Sequence, residues 1–245
     1  MISILMPCWI TGQDLLNLTE NAYESLKDSA PVGSRFVIVD NASTVGVGYL
    51  RSIADTLITN KTNLGYVKAV NQALKITPDE FLVIVNNDVR VSPNWWEVAK
   101  EIFKDGSVGS VHYRMTPYDA PFAEGHSTFI TGKERWCTSS FFVIRWEALP
   151  DVLYDENYGL GGYDDVDFWL RVRDDRWRTA YTTRASYQHL DSSTQLKLDQ
   201  GEREKDNERK REYFKSKWGN YPDEELLKRY PEQMILPWKS EFEKL

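Results

Sequence analysis

Cysteine is scarce in this sequence, and basic residues are not in excess. Cys8 and Cys137 are the two cysteines among 245 residues, and they form neither a CxxC pair nor a Cys/His cluster. This spacing excludes a disulfide framework and a zinc site, and it predicts two buried, reduced thiols in a cytosolic protein. The formal net charge of −7 argues against stable binding of nucleic acid, because contacts with phosphate require a basic surface.

Long apolar runs are missing as well. The run at residues 2–6 is far shorter than the ~20 residues that a membrane span needs, and it has neither a basic leader nor a small-residue cleavage site. We therefore expect a cytoplasmic protein without a transmembrane segment, whose contact with the inner face of a membrane would be peripheral. Aromatic residues make up 13% of the chain. Rings in excess often line sugar sites, and the alternative is ordinary packing.

The first hundred residues alternate between two hydrophobic periods. Short apolar runs rich in β-branched residues predict strands buried on both faces, and the amphipathic stretches between them predict helices. The runs are residues 2–6, 35–39, 56–59 and 81–85, and the amphipathic stretches are residues 13–27, 47–54, 66–76 and 95–103. This alternation predicts a mostly parallel sheet flanked by helices, in which ligands bind beyond the carboxyl ends of the strands.

The second half of the chain is less regular. Residues 112–135 mix Pro, Gly, Tyr and charged residues, which predicts a long loop or lid over a site. Strands are predicted at residues 138–145, 178–181 and 185–187, and a helix at residues 163–173. A charged helix at residues 201–218 is expected to dock through Tyr213, Phe214 and Trp218. The proline-containing tail that follows is expected to wrap the body or to mediate assembly.

A first polar cluster follows the apolar run 81–85. It consists of Asn86, Asn87 and Asp88. A carboxylate at the end of a central strand is placed for a ligand, and it is a hard ligand that suits Mg²⁺ or Mn²⁺. The alternative is an Asn-Asn-Asp turn that caps the next helix.

A second cluster begins the predicted helix 163–173. Asp164, Asp165 and Asp167 lie within four residues, and their repulsion raises the pKa of at least one carboxyl, as a general base requires. The alternative is a capped helix start with solvated acids. His189 follows the last predicted strand, and it is either a metal ligand or a structural histidine.

Taken in order, these segments resemble the inverting family 2 glycosyltransferases of the GT-A fold, over nearly the whole chain from Ile2 to Gly219. The matching segments are Ile4-Leu5-Met6-Pro7, Val39-Asp40-Asn41-Ala42-Ser43-Thr44, Asn63-Leu64-Gly65-Tyr66 with Ala69 and Asn71, Asn86-Asn87-Asp88, residues 140–145, Tyr154-Asp155-Glu156, residues 164–171 and His189. Asn86 stands where the family has the first acid of its metal motif, which leaves Asp88 as the main protein ligand.

The resemblance implies an α/β protein of the GT-A type. Its mostly parallel, Rossmann-like nucleotide-binding sheet would be flanked by helices, with a mixed acceptor-side half and a C-terminal helical extension. The GT-A domain would span residues 1–200, with a nucleotide-sugar-binding half at 1–110 and an acceptor and catalytic half at 111–200. The extension would span residues 201–245.

The resemblance also implies site residues. Asp165 would be the catalytic base, and Asp88 and His189 would bind a divalent cation, Mn²⁺ or Mg²⁺. The implied donor-binding residues are Pro7, Asp40, Asn41, Asn63, Gly65, Asn71, Asn87 and Asp88. Weaker acceptor-side candidates are Trp136, Asp164 and Asp167, and Tyr66 is a weaker candidate for stacking on a sugar.

The implied reaction moves a sugar from a UDP-, GDP- or dTDP-linked donor to a hydroxyl of a glycan or lipid-linked glycan, with inversion. A protein or modified nucleic-acid base as acceptor, and a non-catalytic carbohydrate-binding protein of the same fold, are the alternatives. A nucleotidyltransferase and a nicotinamide dehydrogenase are disfavoured, because the glycine-rich loops that they need after the first strand are absent. The sequence leaves the oligomeric state open.

Overall fold

The computed structural model describes residues 1–122, 125–131, 139–151, 153–159, 162–174, 177–190, 200–222 and 224–225. Within these ranges nine strands form a single sheet, and six α-helices flank it. The strands are β1 (Ile2–Cys8), β2 (Arg35–Asp40), β3 (Thr56–Thr59), β4 (Phe81–Val85), β5 (Val89–Val91), β6 (Val108–Pro117), β7 (Thr128–Thr131), β8 (Phe141–Arg145) and β9 (Arg178–His189). The helices are α1 (Gln13–Ser29), α2 (Val47–Ile53), α3 (Tyr66–Leu74), α4 (Trp95–Ile102), α5 (Asp164–Asp174) and α6 (Gln200–Trp218), with 3-10 turns at Trp146–Ala148 and Glu156–Tyr158.

The sheet combines a parallel half with a mixed half. Its order is β3-β2-β1-β4-β8-β6-β9, and both β5 and β7 pair with β9. Strands β3, β2, β1 and β4 are parallel neighbours, as the alternation of strands and helices predicts. Strand β8 runs antiparallel between β4 and β6, and β5 and β7 run antiparallel to β9. The two halves of the chain therefore share one continuous sheet.

Both faces of the sheet are buried. Successive residues of a strand point to opposite faces, so Ile4 and Met6 of β1 belong to one apolar cluster and Leu5 to the other. The first cluster receives buried residues of α1, α2 and α4, and the second receives those of α3, α5 and α6. This arrangement explains why the strands of the first half are near-continuous apolar runs without alternation.

The prediction of a long loop at residues 112–135 is wrong for residues 112–117 and 128–131, which form strands. Strand β6 continues to Pro117, and β7 adds a further strand at Thr128–Thr131. Residues 132–138 lie outside the described residues. The polar residues of β6 led to the prediction of a loop, but in the fold these residues are buried and paired. His112, for example, is 2% exposed, stacks on Phe142 and contacts the edge of Trp169.

Two further corrections concern the strands beside the site. The predicted strands 178–181 and 185–187 are parts of one strand, β9, whose register on β6 jumps from Thr182 to Ser186 as β6 advances by one residue. This bulge explains why the alternating pattern is interrupted between them. The strand β5 was not predicted, because its three residues are too few to show a hydrophobic period. It pairs with the end of β9 and thereby forms part of the site.

Helix α6 docks through aromatic side chains, as its sequence predicts. Phe214 is fully buried in the second apolar cluster, the ring of Tyr213 contacts that of Tyr158, and Trp218 packs against the same cluster. No helix in the described part of the chain is both long enough and apolar enough to span a membrane.

Candidate active site

The ends of three parallel strands bring polar side chains to one edge of the sheet. Strands β1, β2 and β4 end at Cys8, Asp40 and Val85, so the turns after them lie at the same edge. The Asp40 side chain is buried, and its Oδ1 accepts a hydrogen bond of 2.9 Å from the backbone N–H of Ser43. This bond closes the turn after β2 and orients the carboxylate. Pro7 is half-buried one residue before the end of β1.

Asn41 ties the turn after β2 to the loop that precedes α3. Its Nδ2 donates to Asn63 Oδ1 at 2.7 Å and to the carbonyl of Gly65 at 3.3 Å. Its Oδ1 accepts from Asn60 Nδ2 at 3.1 Å and from the N–H of Leu64 at 3.0 Å. Gly65 has a φ of +84°, a conformation that side-chain-bearing residues rarely adopt. These bonds shape the loop, and direct contact of Asn41, Asn63 and Gly65 with a donor stays a prediction.

Asn71 connects α3 to the segment that precedes α5. Its Nδ2 donates to the carbonyl of Tyr154 at 2.8 Å and to Glu156 Oε1 at 3.2 Å, and its Oδ1 accepts from the N–H of Tyr154 at 3.0 Å. The side chain is 3% exposed, so its amide is already used by these partners. In this structure Asn71 positions other segments, and its predicted contact with a donor stays untested.

Asp88 and His189 meet because β5 pairs with β9. The register places Val89 opposite His189, and His189 Nε2 lies 3.1 Å from Asp88 Oδ1. Both side chains are buried, with exposed fractions of 6% for His189 and 7% for Asp88. Asn86 Nδ2 lies 3.5 Å from the same imidazole nitrogen. Asn87, in contrast, donates to Thr19 Oγ1 on α1 at 2.9 Å and so holds the strand end against that helix.

This cluster suits a divalent cation. Asn86 Oδ1 is buried and accepts no hydrogen bond from the described residues, and the amide of Asn86 lies beside the imidazole of His189, which contacts Asp88. Carboxylate oxygen, amide oxygen and imidazole nitrogen are ligands that Mg²⁺ or Mn²⁺ accepts. Among the described residues no three His, Cys, Asp or Glu side chains converge on one point. The protein would thus supply few ligands, and phosphate oxygens would supply others.

The acids at the start of α5 lie in different environments. The carboxylate of Asp164 is buried and accepts a hydrogen bond from the N–H of Gly162. Asp165 is half-buried, and its Oδ1 accepts from the N–H of Val166 at 2.8 Å. Burial, and next the charge of Asp164, raises the pKa of Asp165 to about 7. Burial also raises the pKa of Asp164.

Asp167 is occupied by structural partners. Its carboxylate is fully buried and lies 3.0 Å from Arg171 Nη2 and 2.7 Å from Lys217 Nζ. Trp218 Nε1 donates to the same carboxylate at 2.9 Å. These contacts join α5 to α6, so Asp167 stabilises the packing of two helices. Its predicted role toward an acceptor stays untested.

Tyr66 contacts the segment that precedes β8. Its hydroxyl donates to the carbonyl of Ser139 at 2.9 Å, and the N–H of Asn86 donates to the carbonyl of Ser140 at 2.9 Å. This segment therefore connects the end of β4 to α3. Burial raises the pKa of Tyr66 well above its ordinary value, and the charges of Tyr154, Asp164, Asp165 and Asp88 raise it further. That the base and the metal ligands share one site stays a prediction.

Ser139 has no predicted role in this site, and Tyr154 is predicted only as part of a segment that resembles the family. The hydroxyl of Tyr154 donates to Ser139 Oγ at 3.0 Å, and its ring stacks on Phe168 of α5 with centroids 4.3 Å apart. These contacts join segments that are distant in the sequence, so no local pattern could reveal them. Trp136 and Cys137, which also have predicted roles, lie outside the described residues.

Comparisons with known proteins concern the family and the fold of this chain. The model of the family described as "Glycosyl transferase family 2" matches residues 3–158. A search of curated proteins found no match. Among solved structures, the chain is similar to S. aureus TarS 1-349 in complex with UDP-GlcNAc, with a TM-score of 0.64 and 15% identity, over 81% of this chain and 61% of that one.

Two further structures are similar. One is the mannosyltransferase PcManGT from Pyrobaculum calidifontis in complex with GDP-Man and Mn²⁺ (TM-score 0.57, 18% identity, 77% of this chain and 56% of that one). The other is GalNAc-T7 with UDP, GalNAc and Mn²⁺ (TM-score 0.61, 12% identity, 77% and 43%). The chain spans less than two thirds of the length of all three structures, and at these identities the likeness shows the fold. Because the family model covers more than half of the chain, this protein belongs to glycosyl transferase family 2 and is a glycosyltransferase of the GT-A fold.

Proposed function

We propose that this protein transfers a sugar from a nucleotide-sugar donor to an acceptor hydroxyl with inversion of the anomeric configuration, with the help of a divalent cation. The donor is a UDP-, GDP- or dTDP-linked sugar, and the acceptor is a glycan or a lipid-linked glycan. The observation that carries the proposal is the buried contact of Asp88 with His189, 3.1 Å apart, beyond the end of β4 at the edge of the sheet. A leaving diphosphate and an attacking hydroxyl need opposite sides of one sugar, and the proposal assigns Asp88 to the diphosphate and Asp165 to the hydroxyl.

Asp165 acts as the general base of the proposed reaction. A carboxyl with a pKa of about 7 is ionised in a large fraction of molecules at neutral pH and still accepts a proton well. Among the described residues no Lys or Arg side chain forms an ion pair with it, whereas Asp167 binds Arg171 and Lys217. The acceptor proton moves to the Asp165 carboxylate as the acceptor oxygen bonds to the anomeric carbon. The bond from that carbon to the diphosphate oxygen breaks in the same step.

The donor binds at the edge formed by β1, β2 and β4. Asp40 accepts a hydrogen bond from the base or ribose, beside Pro7, and the loop held by Asn41 and Asn63 supports the nucleotide from below. Asp88, His189 and Asn86 hold the cation. When bound, the cation neutralises charge on the diphosphate and makes it a better leaving group.

The test uses UDP-, GDP- and dTDP-linked sugars with and without Mn²⁺, and it measures both release of nucleotide and transfer to glycan acceptors. Asp165→Asn is expected to keep the affinity for the matching nucleoside diphosphate and to lower turnover by roughly two to four orders of magnitude, the usual share of general base catalysis. Asp88→Asn is expected to lose the part of nucleotide affinity that depends on Mn²⁺.

The matched control is Asp28→Asn, an exposed aspartate on α1 that lies outside the site. It should leave both turnover and affinity unchanged. Near-normal transfer by Asp165→Asn would remove this residue as the base, and Mn²⁺-dependent affinity that survives in Asp88→Asn would remove the cation site. Nucleotide binding without any release or transfer would favour a non-catalytic binding protein.

A further inference from the structure

Helix α6 lies beyond residues 3–158, the part of the chain that matches the family model, and yet it packs on the acids of α5. One row of its side chains faces the body of the protein. The row comprises Arg209, Lys210, Tyr213, Phe214, Lys217 and Trp218, which are spaced three to four residues apart as one face of a helix requires.

The C-terminal end of this row anchors the helix. Lys217 Nζ lies 2.7 Å from Asp155 Oδ2 and 2.7 Å from Asp167 Oδ1, so one ammonium joins the segment before α5 to α5 itself. Tyr213 donates to the same oxygen of Asp155 at 2.8 Å. The position of α6 against the start of α5 is therefore determined by several independent bonds.

The middle of the row places a buried lysine beside Gly162. The Lys210 side chain is only 4% exposed, and its ammonium pairs with Asp206 one turn earlier on α6. A methyl group at Gly162 would lie 3.7 Å from Lys210 Nζ, so the ammonium lies in van der Waals range of this turn. The N–H of Gly162 in turn binds the carboxylate of Asp164. Gly162 has a φ of +110°, a conformation that residues with side chains rarely adopt.

We propose that Lys210 is a positioning residue of the transfer reaction, which holds the Gly162–Asp164 turn and supplies the positive charge that balances the Asp164–Asp165 pair. The inference depends on the proposed role of Asp165 as the base. This inference gives α6 a role in the transfer reaction, although the helix lies outside the residues that match the family model. Lys210 acts through Asp164 and does not itself touch the reacting atoms.

The charges around the pair support this role. Burial raises the pKa of Asp164, and the charge of Lys210 opposes that rise. The described titratable groups that interact with the pair include Lys210 from α6, Asp167 from α5, Tyr66 from α3, and Tyr154 and Tyr158 from the segment before α5. Lys210 contributes a positive charge to this set. Without it, the last proton leaves the coupled pair at a higher pH.

The test compares the pH dependence of kcat/KM in wild type, Lys210→Met and Asp206→Asn. Lys210→Met keeps the aliphatic stem and removes the charge, so the acidic limb should move to higher pH by about half a unit to one unit. Asp206→Asn leaves the ammonium without its partner on α6, so the acidic limb should move to lower pH. A merely structural role for Lys210 would not produce shifts of opposite sign.

Several controls separate the outcomes. Lys210→Arg keeps the charge and should restore the wild-type profile, and Lys205→Met removes an exposed lysine from the same helix and should change nothing. Donor KM should stay within about twofold in every variant, while kcat near pH 6 falls by about three- to tenfold in Lys210→Met. If Lys210→Met does not fold, the pH profile of Asp206→Asn alone tests the proposed role of Lys210.

An unmoved acidic limb in both charge variants, or an upward shift in Asp206→Asn, would overturn the role of Lys210. Asp165→Asn is measured in parallel. If it transfers normally, the proposed base fails, whereas an inactive Asp165→Asn with unmoved profiles in the α6 variants rejects only the inference about Lys210.

Discussion

At the residue scale, three aspartates within one turn of α5 differ in what they can do. Asp167 is enclosed by cations, Asp164 is bound to the backbone of Gly162, and Asp165 retains part of its exposure and has its pKa raised to about 7. Successive helix residues point in directions about 100° apart, so each carboxylate meets a different neighbour. The surroundings of a carboxylate therefore decide whether it is suited to proton transfer, because the residue type is the same in all three cases.

A raised carboxyl pKa has a cost in stability that can be measured. The folded protein binds a proton at Asp165 more tightly than the unfolded chain does, so this residue lowers the free energy of unfolding as the pH rises from about 4 to about 7. Asp165→Asn is neutral at every pH and escapes this loss. We expect it to be more stable than wild type by roughly 1–3 kcal/mol at pH 8 and by much less at pH 5.

Urea unfolding at both pH values checks this expectation, with Asp28→Asn as the control for loss of an exposed carboxylate. A stability difference that is the same at pH 5 and pH 8 would contradict the raised pKa. The combination of higher stability and lower turnover in Asp165→Asn would identify a residue that is kept for function.

At the scale of elements, the short strand β5 and the helix α6 complete the site. Strand β5 brings Asp88 to His189, and α6 closes over the start of α5 through Lys217 and Trp218. Both elements contribute through contacts with distant segments. The Asp167 carboxylate, which is fully buried, is the centre of the α5–α6 contact.

Asp167→Asn should therefore destabilise the fold. It leaves the ammonium of Lys217 and the guanidinium of Arg171 without their shared carboxylate, which is expected to cost about 2–4 kcal/mol because one partner of a buried ion pair is removed. Glu208→Gln, an exposed position on α6, is the matched control and should change stability by less than about 0.5 kcal/mol. Chemical denaturation measures both. An Asp167→Asn variant as stable as the control would mean that α6 is held mainly by its apolar contacts.

At the scale of the whole molecule, one sheet passes through both halves of the chain and separates two apolar clusters. Phe214 of α6 belongs to the same cluster as Leu5 of β1 and Phe168 of α5. Whether α6 unfolds together with the sheet therefore tests the proposed division into a GT-A domain and a C-terminal extension.

We expect a single cooperative unfolding transition. The buried contacts of α6 are shared with the sheet, so helix content, tryptophan fluorescence and enzymatic activity should be lost at the same urea concentration. Hydrogen exchange gives a second measurement, in which amides in the middle of α6 should exchange in the same range as those of α3. Loss of α6 in a separate, earlier transition would show that the extension is an independent unit.

The sequence by itself determined the parallel half of the fold. Runs such as Phe81–Val85 predict buried strands because they are apolar, β-branched and bounded by turn residues, and the structure has strands there. The order of the polar clusters along the chain also predicts the family, and the match of the family model to residues 3–158 confirms that prediction. These features depend on residues close together in the sequence, so a local pattern is sufficient to predict them.

The tertiary structure decided the rest. The polar strand β6, the bulge in β9 and the strand β5 depend on pairing between distant segments, and the pattern at residues 112–135 gave a wrong prediction for that reason. The contact of Asp88 with His189 and the different environments of Asp165 and Asp167 likewise require the fold. Burial and the charges of neighbouring segments control the pKa and the partners of each carboxylate, and neither quantity is encoded by adjacent residues.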